Sequence, residues 1–237
     1  MQKVELYNGD CKEILQKLIL QNVKVDLILT DPPYIVSANG GASGAFGKRA
    51  KRLRKEIDFT ANGFDYESIF PMFKQICKIP NYIIFCSNQQ LGDFKYFFEH
   101  SENLTVETLI WKKTNPIPVA NNHHLPDVEY ILYVKDKGTY FNNDLPMKMK
   151  SKVAEFPIVA SSHKVHPTQK PLKLIEQYVL LHSKKDDVIL DCFMGSGTSG
   201  IASVRNERNF IGIEIEKRFF EVANQRISAE NKQTKLF

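Results

Sequence analysis

Asp31-Pro32-Pro33-Tyr34 sets a carboxylate, a stiffened backbone and an aromatic ring directly after an apolar run that ends at Thr30. Each proline fixes its own φ and biases the residue before it toward extended conformations, so the run has to stop there. The turn then holds acceptor groups without local donors, and a ring face, rigidly beyond the C-terminal end of a buried strand. That edge is where open α/β sheets bind ligands.

A second constellation lies far along the chain, at Asp191-Cys192-Phe193-Met194-Gly195-Ser196-Gly197-Thr198. The glycines permit a tight turn and close approach of a ligand to the backbone, and Thr198 opens a helix whose N-terminal amides are free. The turn lacks the third glycine of a dinucleotide fingerprint and the lysine of a P-loop, which disfavours hydride and phosphoryl transfer. The next apolar run ends at Glu214, placed to accept hydrogen bonds from a ribose. A ligand containing a nucleoside is therefore expected.

These residues need a sheet to bring them together. Short apolar runs, Val4–Tyr7, Val25–Leu29, Tyr82–Cys86, Thr105–Trp111, Val128–Val134, Val188–Leu190 and Phe210–Ile213, read as strands. They alternate with segments of helical period, Lys12–Leu20, Tyr66–Cys77, Gln89–Glu99, Leu172–Leu181, Ser199–Arg205 and Arg218–Ala229, with Pro171 opening the fourth. Such alternation predicts a doubly wound α/β fold with a mostly parallel sheet.

The 237 residues, 43% of them hydrophobic, suffice for one substantial core. No apolar run reaches the roughly 18 residues of a membrane span, and the N-terminus does not resemble a secretory segment, so a soluble, cytoplasmic protein is expected. The four cysteines, Cys11, Cys77, Cys86 and Cys192, form no CxxC pair and read as small buried apolar residues. His123 and His124 are adjacent and lack matching carboxylates, so no metal site is expected.

Two segments carry no regular pattern. Ser37–Asn62 is glycine-rich and contains Lys48, Arg49, Lys51, Arg52, Arg54 and Lys55, a patch suited either to solvent or to a polyanion. Tyr140–His163 mixes prolines, lysines and short apolar pieces. Loops of this length in a compact domain are usually functional or disordered.

The two motifs, in this order, resemble the signatures of amino-group DNA methyltransferases. The acceptor motif precedes the glycine turn, as in the circularly permuted beta class. His166-Pro167-Thr168-Gln169-Lys170-Pro171 and Asn8-Gly9-Asp10-Cys11 resemble that class as well, so the likeness spans nearly the whole chain. It implies a Rossmann-like fold of the S-adenosylmethionine-dependent methyltransferase type, as a single domain over residues 1–237. Within it, 37–62 would be a flexible basic loop, 140–163 a target-recognition segment and 166–237 the cofactor-binding portion.

The activity implied is methyl transfer from S-adenosylmethionine to the exocyclic amino group of adenine in double-stranded DNA, without a metal. The amino nitrogen is a poor nucleophile because its lone pair is delocalised into the ring. Asp31 and the carbonyl of Pro32 would bind its N–H groups, the Pro32-Pro33 turn would keep them rigid, and Tyr34 would stack on a base extruded from the duplex.

For the cofactor, the family pattern implies Asp10 and Cys11 near the adenine, Phe193, Gly195, Ser196, Gly197 and Thr198 along the methionine part, with Asp31 and Asp191 beside them, and Glu214 at the ribose. Thr168 and Lys170 would hold the carboxylate, although Lys170 also reads as a surface lysine flanking a helix. The six-cation cluster would contact phosphates. Trp111-Lys112-Lys113 either lines the base pocket or caps a strand.

The stretch before His166 is short for a separate recognition domain, so recognition would be shared by 37–62 and 140–163 or completed by a second copy in a homodimer. A cognate restriction endonuclease or a second methyltransferase acting at the same site is a further expected partner. Rival readings are an N4-cytosine enzyme, which more often carries Ser than Asp at the first motif position, and methylation of RNA or a protein amide, for which related enzymes tend to carry Asn there. An inactive nucleic-acid-binding protein of the same fold would have lost one of the motifs, and both are intact.

Overall fold

The computed structural model describes residues 2–34, 65–118, 124–160, 162, 165–166 and 168–233. The basic stretch 37–62, with all six cations named above, lies outside them, as do His123 and Pro167.

The strands are β1 (Val4–Asn8), β2 (Leu27–Thr30), β3 (Asn81–Cys86), β4 (Thr105–Lys113), β5 (Val128–Lys135), β6 (Val153–Phe156), β7 (Val188–Asp191) and β8 (Asn209–Glu214). They form one sheet in the order β1-β8-β7-β2-β3-β5-β4-β6. Neighbours are parallel from β1 to β3; β5 runs antiparallel to both β3 and β4, and β6 is parallel to β4. The mostly parallel sheet expected from the sequence is present, with β5 reversed inside it.

Helices α1 (Cys11–Leu20), α2 (Tyr66–Ile76) and α3 (Asn88–Tyr96) cover one face; α4 (Leu172–His182), α5 (Thr198–Arg205) and α6 (Lys217–Gln233) cover the other. Alternation along each buried strand supplies both cores. Ile28 and Ile84 pack with Leu15, Phe70 and Phe73, whereas Leu27, Leu29 and Ile83 pack with Ile175, Val179 and Ala202. All four cysteines are buried and free, as expected.

Two local expectations need correction. The helix expected over Gln89–Glu99 is α-helical only to Tyr96 and then widens into a π turn, Phe97–Ser101. The widened turn lets Phe97 and Phe98 both meet Phe70, at ring separations of 5.8 and 4.6 Å. Pro171, extended (φ −61°, ψ 131°), stands at the N-cap and opens α4, as expected. Within 140–163, a 3-10 turn (Met147–Lys150) precedes β6, an edge strand in which only Ala154 is buried. So short a strand with one inward residue carries almost no periodic signal.

Candidate active site

The sheet order puts β2 next to β7, and the connections leave these two strands in opposite directions: β7 leads through α5 to β8, and β2 through α2 to β3. Asp31 follows β2 and Asp191 ends β7, so both carboxylates sit at the topological switch point. A cavity of about 260 Å³ opens there, lined among others by Asp31, Tyr34, Phe193, Glu214 and Phe219.

The two signature turns are tied together below the cavity. Thr30 donates to Oδ1 of Asp191 at 2.8 Å, and the same oxygen accepts the Phe193 amide at 3.0 Å. Ser199, in the first turn of α5, donates to Oδ2 of Asp191. Burial raises Asp191 to about 6, against the hydrogen bonds that favour its ionised form. With its oxygens so engaged, Asp191 is the strut of the glycine turn.

Glu214 carries the turn from the other side: Oε2 accepts the Gly195 amide at 2.9 Å and Oε1 the Glu216 amide at 2.8 Å. A carboxylate retains further acceptor sites after two such bonds, and Glu214 lines the cavity. Burial pushes its pKa up, opposed by these amides.

Gly195 and Gly197 have positive φ, 51° and 78°, but do different things. Gly195 faces the cavity against the His166 ring. Gly197 faces α6, where a Cβ would come within 2.9 Å of Ile227 and 3.0 Å of the Ala223 Cβ. Its glycine is required by helix packing and is not among the cavity's lining residues, whereas Ser196 and Thr198 are.

On the acceptor side, Gln90 does two jobs. Its Oε1 accepts the Ser87 amide in the capping box that starts α3, and its Nε2 donates to the Pro33 carbonyl at 2.8 Å. This fixes the proline turn to a helix terminus. Asp31 is held through Oδ2 by Lys170, while its Oδ1 is buried and has no hydrogen-bond partner among the described residues. Burial raises the Asp31 pKa, and Lys170 works against it.

Lys170, only 7% exposed, also reaches Glu129 Oε2 at 3.3 Å and lies 5.1 Å from the centre of the Tyr34 ring. Burial disfavours its charge, but the two carboxylates prevail and hold its pKa above the ordinary lysine value. Tyr34 donates to Glu129 at 3.3 Å, and Lys113 pairs with Glu129 at 3.0 Å.

A second cavity of about 260 Å³ adjoins the first, lined by Trp111, Lys113, Ile117, Pro126, Glu129 and Ile158. Tyr34, Thr168, Gln169 and Lys170 line both cavities and form the wall between them. The site thus has two compartments that meet at Lys170 and the Asp31-Pro32-Pro33-Tyr34 turn.

A family model described as DNA methylase, for N6 and N4 methyltransferases, matches residues 25–225. The chain belongs to this family. Similar relatives include the type II methyltransferases M2.MboI of Moraxella bovis, 31% identical over 93% of this chain and 86% of that protein, and M2.DpnII of Streptococcus pneumoniae, 30% identical over 97% and 91%. Among solved structures, the M1.HpyAVI–SAM complex superposes with a TM-score of 0.71 at 32% identity, covering 94% of this chain and 99% of the other. The cytosine-N4-specific PvuII methyltransferase superposes at 0.69 with 14% identity, a likeness of fold, over 98% and 93%.

In this methylase the sequence-predicted residues Asp31, Pro32, Pro33, Tyr34, Thr168, Lys170, Asp191, Phe193, Gly195, Ser196, Thr198 and Glu214 all line one cavity. Asp10 and Cys11 do not. Asp10 caps α1 by accepting the Lys12 and Glu13 amides at 2.9 and 3.2 Å, and Cys11 is the buried first residue of that helix. Lys170 is no surface lysine; it is committed to Asp31 and Glu129. Trp111 and Lys113 line the second cavity, while Lys112 pairs with exposed Glu155.

Sequence reasoning missed Glu129, Gln90 and the linking hydroxyls of Thr30 and Ser199. Glu129 left a trace, a lone acid in the apolar run Val128–Val134. Gln90 left another, as the fourth residue of a Ser-x-x-Gln capping signature.

Proposed function

We propose that the methylase transfers a methyl group from S-adenosylmethionine to the exocyclic amino nitrogen of adenine in double-stranded DNA, with Asp31 as the acceptor that orients the nitrogen. One observation carries the reading: a carboxylate oxygen, Oδ1 of Asp31, buried and without a donor among the described residues, at the switch point of a DNA methylase fold. An acceptor closed to water meets an incoming N–H without solvent competition.

The cavity residues suit the methyl donor. Glu214 offers acceptor sites to ribose hydroxyls, Phe193 and Phe219 offer apolar walls, and Asp31 and Glu216 bring negative charge toward a cationic sulfur. Bound S-adenosylmethionine supplies a methyl group on a positively charged sulfur, whose bonding pair leaves with the neutral thioether as the nitrogen lone pair forms the new bond.

We assign the ribose to Glu214, the adenine of the donor to the end of β1 where Asp10 and Cys11 lie, and the methionine part to Phe193, Gly195, Ser196 and Thr198. Thr168 takes the donor carboxylate; Lys170 is reassigned to Asp31. The target base enters the second cavity and stacks on Tyr34. Asp31 Oδ1 and the Pro32 carbonyl accept its two N–H bonds, which localises the lone pair; after transfer, the surplus proton passes from nitrogen to the acceptors and then to water. Orientation and a matched charge supply the rate enhancement.

The cluster Lys48, Arg49, Lys51, Arg52, Arg54 and Lys55 is assigned to DNA phosphates and residues 140–163 to target recognition, with 166–237 as the cofactor-binding portion of a single domain. The type II relatives support a setting with a cognate nuclease or a second methyltransferase at the same site, and a homodimer completes the recognition surface. Incubating the protein with duplex DNA and methyl-labelled S-adenosylmethionine, then identifying the labelled nucleoside, tests the reading. Methyladenine is expected from the wild type and none from Asp31→Ala; methylcytosine would overturn the base assignment.

A further inference from the structure

Lys170 could have satisfied Asp31 as a simple ion pair. Instead its ammonium lies between two carboxylates, and the second, Glu129, comes from β5, the reversed strand. Glu129 uses both oxygens: Oε2 takes Lys170 at 3.3 Å and the Tyr34 hydroxyl at 3.3 Å, and Oε1 takes Lys113 of β4 at 3.0 Å. Its side chain is 21% exposed and that of Lys113 15% exposed, so the array is largely shielded from solvent.

We propose that Glu129 is a positioning residue for methyl transfer: by gripping Lys170 and Tyr34 with one oxygen and Lys113 with the other, it locks Lys170 onto Oδ2 of Asp31, leaving Oδ1 as the carboxylate oxygen presented, beside the Pro32 carbonyl, to the amino group. The proposal rests on the assignment of Asp31 as acceptor. The alternating order Asp31, Lys170, Glu129, Lys113 carries no net charge, so the charge of Lys170 is shared between two carboxylates and does not drain the capacity of Asp31 to accept. Without Glu129, the whole charge of Lys170 would bear on Asp31 and make it a poorer acceptor for nitrogen as positive charge develops there.

The surroundings of Asp31 set the sign of the effect. Burial is the main cause that raises its pKa; Lys170 lowers it, Glu129 raises it, and the neighbouring Tyr34 hydroxyl lowers it; Asp191 on β7 and Cys86 on β3 are the other titratable groups coupled to it. Lys113 acts through Glu129, and His166 faces Lys170 from the segment before α4. Removing the Glu129 charge therefore lowers the pH at which Asp31 ionises; removing Lys113 leaves Glu129, still held ionised by Lys170, with its charge uncompensated and raises it.

The test is the pH–rate profile for single-turnover methylation of unmethylated plasmid DNA, with donor binding measured separately by calorimetry. Glu129→Gln is expected to move the acid limb down by about one unit and cut the plateau rate about tenfold or more, with donor affinity unchanged. Lys113→Met should move the limb the opposite way, and Glu129→Asp should restore part of the rate. Because Lys113→Met leaves both carboxylates and Lys170 in place, it decides the question even if Glu129→Gln does not fold. Unmoved profiles in variants that fold, or a loss of donor affinity matching the loss of rate, would overturn the proposal while leaving Asp31 as acceptor. Absence of label in DNA from the wild type would instead overturn the acceptor assignment on which it rests.

Discussion

Thr30 and Asp191 stand 161 residues apart in the chain and share a buried hydrogen bond of 2.8 Å. It joins the end of β2 to the end of β7 and so sets the acceptor turn relative to the glycine turn. Thr30→Val keeps the shape of the side chain and deletes the bond. Because Asp191 Oδ1 retains the Phe193 amide, the expected cost is moderate, about 1–2 kcal/mol. A lower urea midpoint at unchanged slope would register it; an unchanged midpoint would show that the bond contributes nothing.

Asp191 itself makes stability fall as pH rises. Its carboxyl titrates near 6 in the folded protein because burial penalises the anion, against an ordinary value near 3.8. The folded state therefore holds this proton more tightly than the unfolded chain. Its contribution is lost between those two values and is absent at neutral pH, a difference of about 3 kcal/mol. Asp191→Asn, which keeps an acceptor for the Phe193 amide, should remove that slope. Urea unfolding of both proteins at several pH values measures the difference, and parallel curves would refute it.

Asp31 is expected to control turnover more than donor binding. Asp31→Ala deletes the oxygen that orients the amino group, so kcat should fall by at least about a hundredfold. Donor affinity, measured by calorimetry, should change far less. Comparable losses in both would move Asp31 from the acceptor to the donor side of the site.

The sheet and the cavity were legible in the sequence for different reasons. Strands β2, β3, β7 and β8 are buried on both faces, which forces continuous apolar runs, and prolines and glycines punctuate their ends. Asp31, Pro32 and Pro33 stood out because no ordinary strand ends that way. Glu129 was hidden because its role depends on β5 lying between β3 and β4, a pairing set far along the chain. Gly197 misled in the opposite direction: the motif suggests a ligand contact, but its missing side chain accommodates α6. Short β6 was missed because an edge strand with one inward residue looks like loop.

The basic stretch lies outside the described residues, yet its charge makes a quantitative prediction. If Lys48, Arg49, Lys51, Arg52, Arg54 and Lys55 neutralise phosphates, log affinity for duplex DNA falls linearly with log salt, and each cation removed reduces the slope by about 0.9. Arg52→Ala with Arg54→Ala should flatten it by about two. A filter-binding salt series measures the slope; an unchanged slope with normal methyl-donor binding would take these residues out of the interface.

His182 predicts the acid behaviour of the fold. Its ring is 2% exposed, packed 4.2 Å from Tyr133 and 5.4 Å from Phe141, and its Nδ1 has no partner among the described residues. Burial is the main cause that holds its pKa down to about 3, with Lys135 adding to it. The unfolded chain thus takes up this proton near 6.5 and the folded protein only far below. The stability contributed by His182 is lost as pH falls through that window, by about 3 kcal/mol at about pH 4.5, while Asp191 works in the opposite direction. His182→Phe fills the same aromatic pocket, keeps the main-chain carbonyl that accepts from Asn81, and leaves no ring nitrogen to protonate. The variant should lose less stability than the wild type between neutral pH and about 4.5 in thermal scans. Equal losses would mean that the ring gains a partner on protonation and that its burial does not govern the acid limb.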